Sequence, residues 1–272
     1  MISIRQKIRN VRKTILDVSF AHHLGHVGCA ISIANVLTVL YSHVLKISPK
    51  DRQSPKRDRF ILSKGHAAVA LYAVLYHEGF VSEKVLNDLN TDGALLGEHN
   101  DYNLDLGIEY SAGSLGHGLS VGCGMALGLK HTYAKDGNVP NVYVLVSDAE
   151  LNEGSTWEAI MYTPHKGINN LCLIIDDNNS QGMGKAITII NLQPLRVKLA
   201  SFGWYAVKVD SHNYLKMKTI LQKAGELGKP IAVIIKSRLG DGVSFMENDF
   251  RWHYLNLDEK QYKLAVKENS TY

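Results

Sequence analysis

Asp148 and Asn178 are the first residues from which chemistry can be argued. Each follows a short apolar run rich in β-branched residues, NVYVLVSD (141–148) and NLCLIIDDNN (170–179). If these runs are neighbouring parallel strands, their carboxyl ends share one side of a sheet, the side on which open parallel sheets bind ligands. A carboxylate and an amide oxygen placed together there suit a hard cation such as Mg2+, which takes oxygen donors and keeps positions free for water and phosphate oxygens. The backbone carbonyl of Ser180, two residues on, offers a third ligand. The alternative is that Asp148 and Asn178 only cap turns and helices, as these residue types often do. Their spacing does not decide between the two.

The elements that must position them are written in the hydrophobic pattern. Between the two strands, STWEAIMYTPHKG (155–167) reads as a helix, which makes a βαβ unit. Further strands follow at 205–210 and 230–237, separated by a helix at 215–227, and a short strand is expected at Phe60–Leu62. Continuously apolar strands imply a parallel sheet covered on both faces. Upstream, Ile4, Ile8, Val11, Ile15 and Val18 recur at helical spacing, with a basic outer face. Residues 31–46 and 66–79 read as buried helices, and Gly79 as a C-cap. Residues 89–112 form a long loop without helical period, a feature more often functional than idle. The segment 115–134 reads as a glycine-rich helix that another backbone can approach closely. The tail from 255 is charged and has no strand pattern. The expected fold class is α/β, a mostly parallel sheet with helices on both faces, spanning residues 1–272 as a single domain.

Composition narrows the classes. The 272 residues include 30 Lys and Arg against 26 Asp and Glu, and 45% are hydrophobic. A net charge of +4 is too mild to point to nucleic acid. No apolar stretch is long enough to span a membrane. The basic N-terminus lacks the apolar core and cleavage site of a targeting peptide, so a cytoplasmic protein is expected. Cys29, Cys123 and Cys172 are far apart and form no CxxC pair, so reduced thiols filling the core are expected, not a disulfide framework.

The spacing of Asp148 and Asn178, with 29 residues between them, resembles the thiamine-diphosphate motif in which GDG is followed 25–30 residues later by Asn. The resemblance extends, in order, through GHVG (25–28), RFILSKGHAAVALYAVL (59–75), LGEH (96–99), IEYSAGSLGHGLSVGCGMALGLK (108–130) and GVSFMENDFRWH (242–253). Together these are similar to the N-terminal half of transketolase over about residues 5–260.

That resemblance implies the thiamine-diphosphate-binding fold, its diphosphate-binding domain, and a cofactor pair of thiamine diphosphate with Mg2+, or Ca2+ or Mn2+ in its place. Asp148, Asn178 and the Ser180 carbonyl would hold the metal. His66, Gly113, Ser114, Leu115, Asp148, Ala149, Glu150, Asn178 and His253 would contact the cofactor. The Ala149 N–H would reach a phosphate oxygen at a helix start. His26, His66, His99, His253 and Glu153 would be the catalytic set, since imidazole exchanges protons near neutral pH. Glu153 would lie at a subunit interface, although a glutamate at a helix start is equally favoured by the helix dipole. Outside the matched motifs, His22, His43, His77, His131 and His165 read as surface or packing residues.

The resemblance also implies what else is needed. The pyrimidine-binding domain of transketolase is absent from these residues and is expected on a partner chain, a C-terminal transketolase-like subunit, in an α2β2 heterotetramer acting on sugars or sugar phosphates, with neither nucleic acid nor membrane as partner. The implied activity is ketol transfer from a ketose donor to an aldose acceptor. Departures from the family pattern are Ser147 and Ala149 around Asp148, Val27 in GHVG, His117 in LGHG, Leu239 with Arg238 beside it, and Tyr254-Leu255 after His253. They leave two alternatives open: a related thiamine-diphosphate enzyme with a pathway-specific donor, and a degenerate non-catalytic scaffold subunit.

Overall fold

All five apolar runs are strands, and all five are parallel. The computed structural model describes residues 2–272. In chain order the elements are α1 (Ile4–Ala21), α2 (Val27–His43), β1 (Arg59–Leu62), α3 (Ala68–His77), α4 (Glu83–Asn87), α5 (Gly118–Tyr133), β2 (Val142–Ser147), α6 (Gly154–His165), β3 (Leu171–Asp177), α7 (Ala186–Ile189), α8 (Leu195–Ser201), β4 (Tyr205–Asp210), α9 (Tyr214–Leu221), β5 (Ile231–Lys236) and α10 (Glu259–Asn269). The strand order across the sheet is β1-β2-β3-β5-β4. Val142 pairs with Leu171, Ser147 with Asp176, and Asp177 with Lys236.

The strands are apolar without interruption because alternate side chains serve two cores. Tyr143, Leu145, Cys172, Ile174, Val233 and Ile235 face the core shared with α1, α2 and α3. Val144, Val146, Leu173, Ile175, Ala232 and Ile234 face the core shared with α5, α6 and α8. Burying one such side chain is worth about 1.5–3 kcal/mol, so the two cores outweigh any local helix or strand preference. Residues 27–41 of α2 are buried on every side, as expected of a helix that is apolar around its whole circumference. By contrast β4 pairs only with β5 and is mostly exposed, an edge strand carrying Lys208.

Two local expectations change, and the charged tail gains an element. The face of α1 is not uniformly basic and outward. Arg12 is fully buried, bonded through Nε to Asn269 Oδ1 and through Nη2 to the Asp241 carbonyl, with its guanidinium 3.6 Å from the Tyr272 ring centre. The helix expected over 215–227 stops at Leu221, and Gly225 takes the left-handed conformation at φ +83. The charged tail folds into α10, started by a reciprocal cap between Asp258 and Gln261. No helix among the described residues is long and apolar enough to cross a membrane.

Because every strand runs the same way, Ser63-Lys64, Ser147-Asp148, Asp176 to Asn178, and Ser237 all emerge at one edge of the sheet. Close helix packing brings the glycine-rich segment to that edge. A Cβ on Gly118 would collide with the Ser63 side chain, and one on Gly122 with Val144, so α5 can approach β1 and β2 only where its residues lack side chains.

Candidate active site

Asp148 begins a short 3-10 turn (Ala149–Asn152) at the end of β2, and Asn178 directly follows β3. The Asp148 N–H donates to the Asp176 carbonyl at 3.1 Å, which ties the two strand ends together. Asp148 Oδ2 accepts from the Asn179 N–H at 2.7 Å, and Oδ1 from the Ala149 N–H at 2.8 Å. The Ala149 N–H expected to face a phosphate is therefore used to cap its own turn in this structure. Ala149 has no positive φ, so its methyl group is accommodated without backbone strain. Asn178 Oδ1 accepts from the Ser180 N–H at 2.9 Å. Burial, and then the neighbouring Asp176, push the Asp148 carboxyl up to about 7, against the opposing pull of Lys64.

Beneath this pair lies a charge network that the sequence reading missed. Lys64 Nζ is 2.7 Å from Asp176 Oδ2. Asp176 Oδ2 also accepts from Ser32 Oγ at 2.8 Å and Asn178 Nδ2 at 2.9 Å, while Oδ1 accepts a short bond from Ser237 Oγ. All of these groups are buried. The available signals were a lysine beside GH at 65–66 and an aspartate pair closing an apolar strand. Either is ambiguous until β1 and β3 are known to end on the same side.

Glu150 is fully buried and holds the glycine-rich turn. One of its carboxylate oxygens, Oε1, accepts from the Gly116 N–H at 3.0 Å and from Ser63 Oγ in a short bond, and its own N–H donates to Ser147 Oγ at 3.1 Å. Burial raises the Glu150 carboxyl, and these donors oppose the rise. Gly113 and Ser114 are exposed and Leu115 half-buried, on the surface of that turn. Gly116 has φ +92, and a Cβ there would lie 2.7 Å from Glu153 Cβ, so the turn needs glycine. Glu153 itself is the exposed N-cap of α6, and no hydrogen bond or ion pair among the described residues joins it to the histidines.

Four histidines from four stretches of chain do come together. The ring centre of His26 lies 5.2 Å from that of His66, 6.2 Å from His99 and 5.1 Å from His253, and His66 lies 4.9 Å from His253. His26 sits in the left-handed region at φ 57, unusual for a residue with a side chain, and this conformation costs of order 1–3 kcal/mol. Burial lowers the His26, His66 and His253 imidazoles, His66 well below its usual value and His253 down to about 4; Lys64 adds to the shift on all three. Three of the four rings are therefore neutral near pH 7. His66 Nε2 and His26 Nδ1 are buried without a hydrogen-bond partner. Tyr254, a departure from the family pattern, stands 63% exposed with its ring 4.9 Å from His253 and 6.0 Å from His26. Cys29 is buried as expected of a core thiol, yet its Sγ lies 3.3 Å from His253 Nδ1.

A cavity of about 330 Å³ opens beside Asp148 and Asn178, lined also by Lys208, Lys236 and Arg238. A larger groove of about 820 Å³, lined by Lys46, Asp58, Asn141 and Asn170 among others, contains none of the residues above. Asn141 and Asn170 flank the starts of β2 and β3, so this groove lies at the opposite end of the sheet.

Comparison with known proteins agrees with this fold. Residues 4–269 match the family described as "Transketolase, thiamine diphosphate binding domain". The chain is 35% identical over 269 residues to the 6-deoxy-6-sulfo-D-fructose transketolase subunit SqwG of Clostridium sp. (strain MSTE9), covering 98% of this chain and 96% of that one. It is 36% identical over 263 residues to an apulose-4-phosphate transketolase subunit of Phocaeicola vulgatus, covering 95% and 91%. Among solved structures, the transketolase of Campylobacter jejuni superposes with a TM-score of 0.91 at 26% identity over 99% of this chain. The match covers 43% of that protein, so the chain spans less than half of the solved transketolase.

Proposed function

We propose, for a chain that belongs to the transketolase family of thiamine diphosphate-binding domains, the role of diphosphate-binding subunit in a two-chain transketolase that moves a two-carbon ketol unit from a ketose donor to an aldose acceptor. The observation that carries this reading is the placement of Asp148 and Asn178 at the adjacent carboxyl ends of β2 and β3, at the same edge of the sheet as Lys64, from which the segment leading to His66 departs. Residues 2–272 then form one diphosphate-binding domain.

The residues fit a magnesium-bound diphosphate. Asp148 and Asn178 offer hard oxygens and Ser180 a backbone carbonyl, and a divalent cation would relieve the burial and the Asp176 repulsion that oppose ionisation of Asp148. Ca2+ or Mn2+ would be held by the same donors. Ser180 Oγ and His66 Nε2, both buried and unpartnered, are free to bind an anion or its water. Bound thiamine diphosphate would supply the electron sink for breaking and remaking the C–C bond. The chain's own residues do the rest. Glu150 fixes the Gly113–Ser114–Leu115 surface through Gly116, so that backbone groups can lie against the cofactor ring. His66 and His253 would donate to the diphosphate. His26 and His99 would accept and return hydroxyl protons of the sugar, a task suited to imidazole.

A second polypeptide carrying the pyrimidine-binding domain completes the site in an α2β2 assembly. The names of two relatives as transketolase subunits support a partner. Exposed Val121 and Leu127 on α5, and Met161 and Tyr162 on α6, suit its docking. The three free cysteines are in keeping with a cytoplasmic setting. A pathway-specific donor is a second reading, favoured by relatives named for 6-deoxy-6-sulfo-D-fructose and apulose-4-phosphate and by Tyr254 over the histidines.

The test is co-purification of the chain with Mg2+ and thiamine diphosphate, native mass spectrometry of the assembly, and donor assays with ketoses against pyruvate. A stoichiometric partner, bound cofactor and ketose-dependent transfer are expected. Robust turnover by the isolated chain would sink the two-chain reading, and a partnered assembly that binds no cofactor would favour a scaffold role.

A further inference from the structure

The carboxyl end of the sheet carries a second set of metal donors, of different chemical character. His26, Cys29 and His253 each present one ligand atom, and these atoms all lie within 4.8 Å of one another. Asp148, Asn178 and Ser180 offer oxygen, which suits Mg2+ and Ca2+. Two imidazoles and a thiol are a donor set that favours zinc. With Zn–N near 2.0–2.1 Å and Zn–S near 2.3 Å, the donor atoms of a tetrahedral site stand about 3.3–3.6 Å apart. Cys29 Sγ and His253 Nδ1, at 3.3 Å, are already at that separation. The third donor, from His26, lies within 4.8 Å of both.

The site is held in place by the backbone. His26 is fixed by its left-handed conformation at the start of α2. Cys29 follows in the first turn of α2, 1% exposed. His253 closes the 3-10 turn Phe250–His253, anchored by buried Trp252, whose Nε1 donates to the Phe245 carbonyl at 2.9 Å. Gly28 makes the approach possible, since a Cβ there would come within 3.1 Å of Trp252. The His26 Nδ1 atom is buried and bonded to nothing. The His66 ring, also with an unpartnered buried nitrogen, lies 4.9 Å from His253 and 5.2 Å from His26, beside the fourth position. Ligands held by separate, rigid pieces of chain make a preorganised site.

We propose that His26, Cys29 and His253 form a soft-metal site that takes one zinc ion, and that zinc there inhibits the enzyme. As the Zn–S bond forms, the Cys29 thiol gives its proton to solvent. The inhibition rests on the functional reading above, because the ion occupies two histidines assigned to sugar and cofactor. The binding itself does not depend on that reading.

The experiment is titration of the full chain with Co2+ as a spectroscopic stand-in, followed by displacement with Zn2+ and challenge with excess Mg2+. One equivalent of cobalt is expected, with the intense visible absorption of a tetrahedral ion and a sulfur-to-cobalt charge-transfer band. Zn2+ should displace it and Mg2+ should not. Cys29→Ser should abolish the charge-transfer band and weaken binding about tenfold or more. His253→Gln should weaken binding while keeping the band, and serves if the cysteine variant does not fold. Octahedral cobalt without a sulfur band, or equal binding by the wild type and both variants, overturns the site. In the assembled enzyme, Zn2+ should inhibit the wild type and spare Cys29→Ser. Stoichiometric binding without inhibition would keep the metal site and overturn the inhibitory half of the proposal.

Discussion

Lys64 Nζ and Asp176 Oδ2 stand 2.7 Å apart, each side chain 1% exposed, and together join the ends of β1 and β3 beneath the candidate active site. Burial alone would lower the Lys64 ammonium, but Asp176, with Cys29 and Asp148, opposes it and the net shift is upward. Removing one member of a buried pair leaves an uncompensated charge, at a cost of about 3–5 kcal/mol. Lys64→Met should therefore destabilise the chain by that amount in urea unfolding. Lys64→Met with Asp176→Asn should recover part of the loss, because no buried charge is left unpaired and the amide oxygen still accepts from Ser32 or Ser237. A single variant within about 1 kcal/mol of wild type would mean that the pair is not charged.

Asp148→Asn should keep the fold and lose Mg2+-dependent cofactor binding. The amide oxygen still accepts from the Asn179 or Ala149 N–H, but the formal charge facing the cation is gone. Calorimetry with thiamine diphosphate and Mg2+ on the assembled protein should show affinity falling by about a hundredfold or more, beyond the loss usual for a ligand's outer partners. Unchanged binding would remove Asp148 from the metal site.

Glu150→Ala should leave Gly116 N–H and Ser63 Oγ without their buried acceptor, costing about 1–3 kcal/mol. Thermal melts should show the loss. The KM for thiamine diphosphate should rise more than kcat falls, since Glu150 supports the turn that faces the cofactor. A pure kcat effect would point instead to a direct role in proton transfer.

Stability should depend on pH through Asp241, which pairs with His212 and Arg238. Burial opposes its ionisation, but the hydrogen bonds from His212 and Tyr272 win and hold its carboxyl down at about 2. A depressed carboxyl contributes stability above its unfolded value near 3.9, and that stability is lost as pH falls through about 2. The contribution is about 2 kcal/mol. His212 is raised, chiefly by the same bond, so its part is present below pH 6.5 and fades at higher pH. Asp241→Asn should flatten both limbs of the unfolding free energy measured from about pH 2 to 8.

The parallel sheet and most helix positions were legible because two-sided burial leaves a continuous apolar signature. Asp148 and Asn178 were legible because chemistry at strand ends is ordered along the chain. What could not be read were contacts between residues far apart in sequence. Arg12 looked like a surface cation because its partners, Asp241 and Asn269, lie more than two hundred residues away. Cys29 looked like filler because only the fold brings His253 to it. The helix α10 carried its signal in Asp258 and Gln261, a reciprocal cap hidden within a charged tail. The helix α9 ran short because Gly225 is a turn residue, and helical propensity in 222–227 does not record φ.

Three of the sheet's strands reach the reactive edge through a serine. Ser63 follows β1, Ser147 ends β2 and Ser237 follows β5, and each hydroxyl bonds to the side chain or backbone of a buried acid, Glu150 or Asp176. A hydroxyl is small enough to belong to an apolar layer and polar enough to belong to a charged one. These three form an insulating seam between the part of the molecule that must stay packed and the part that must stay reactive. A lineage can revise donor and acceptor chemistry above the seam, residue by residue, while the folding problem below it stays solved.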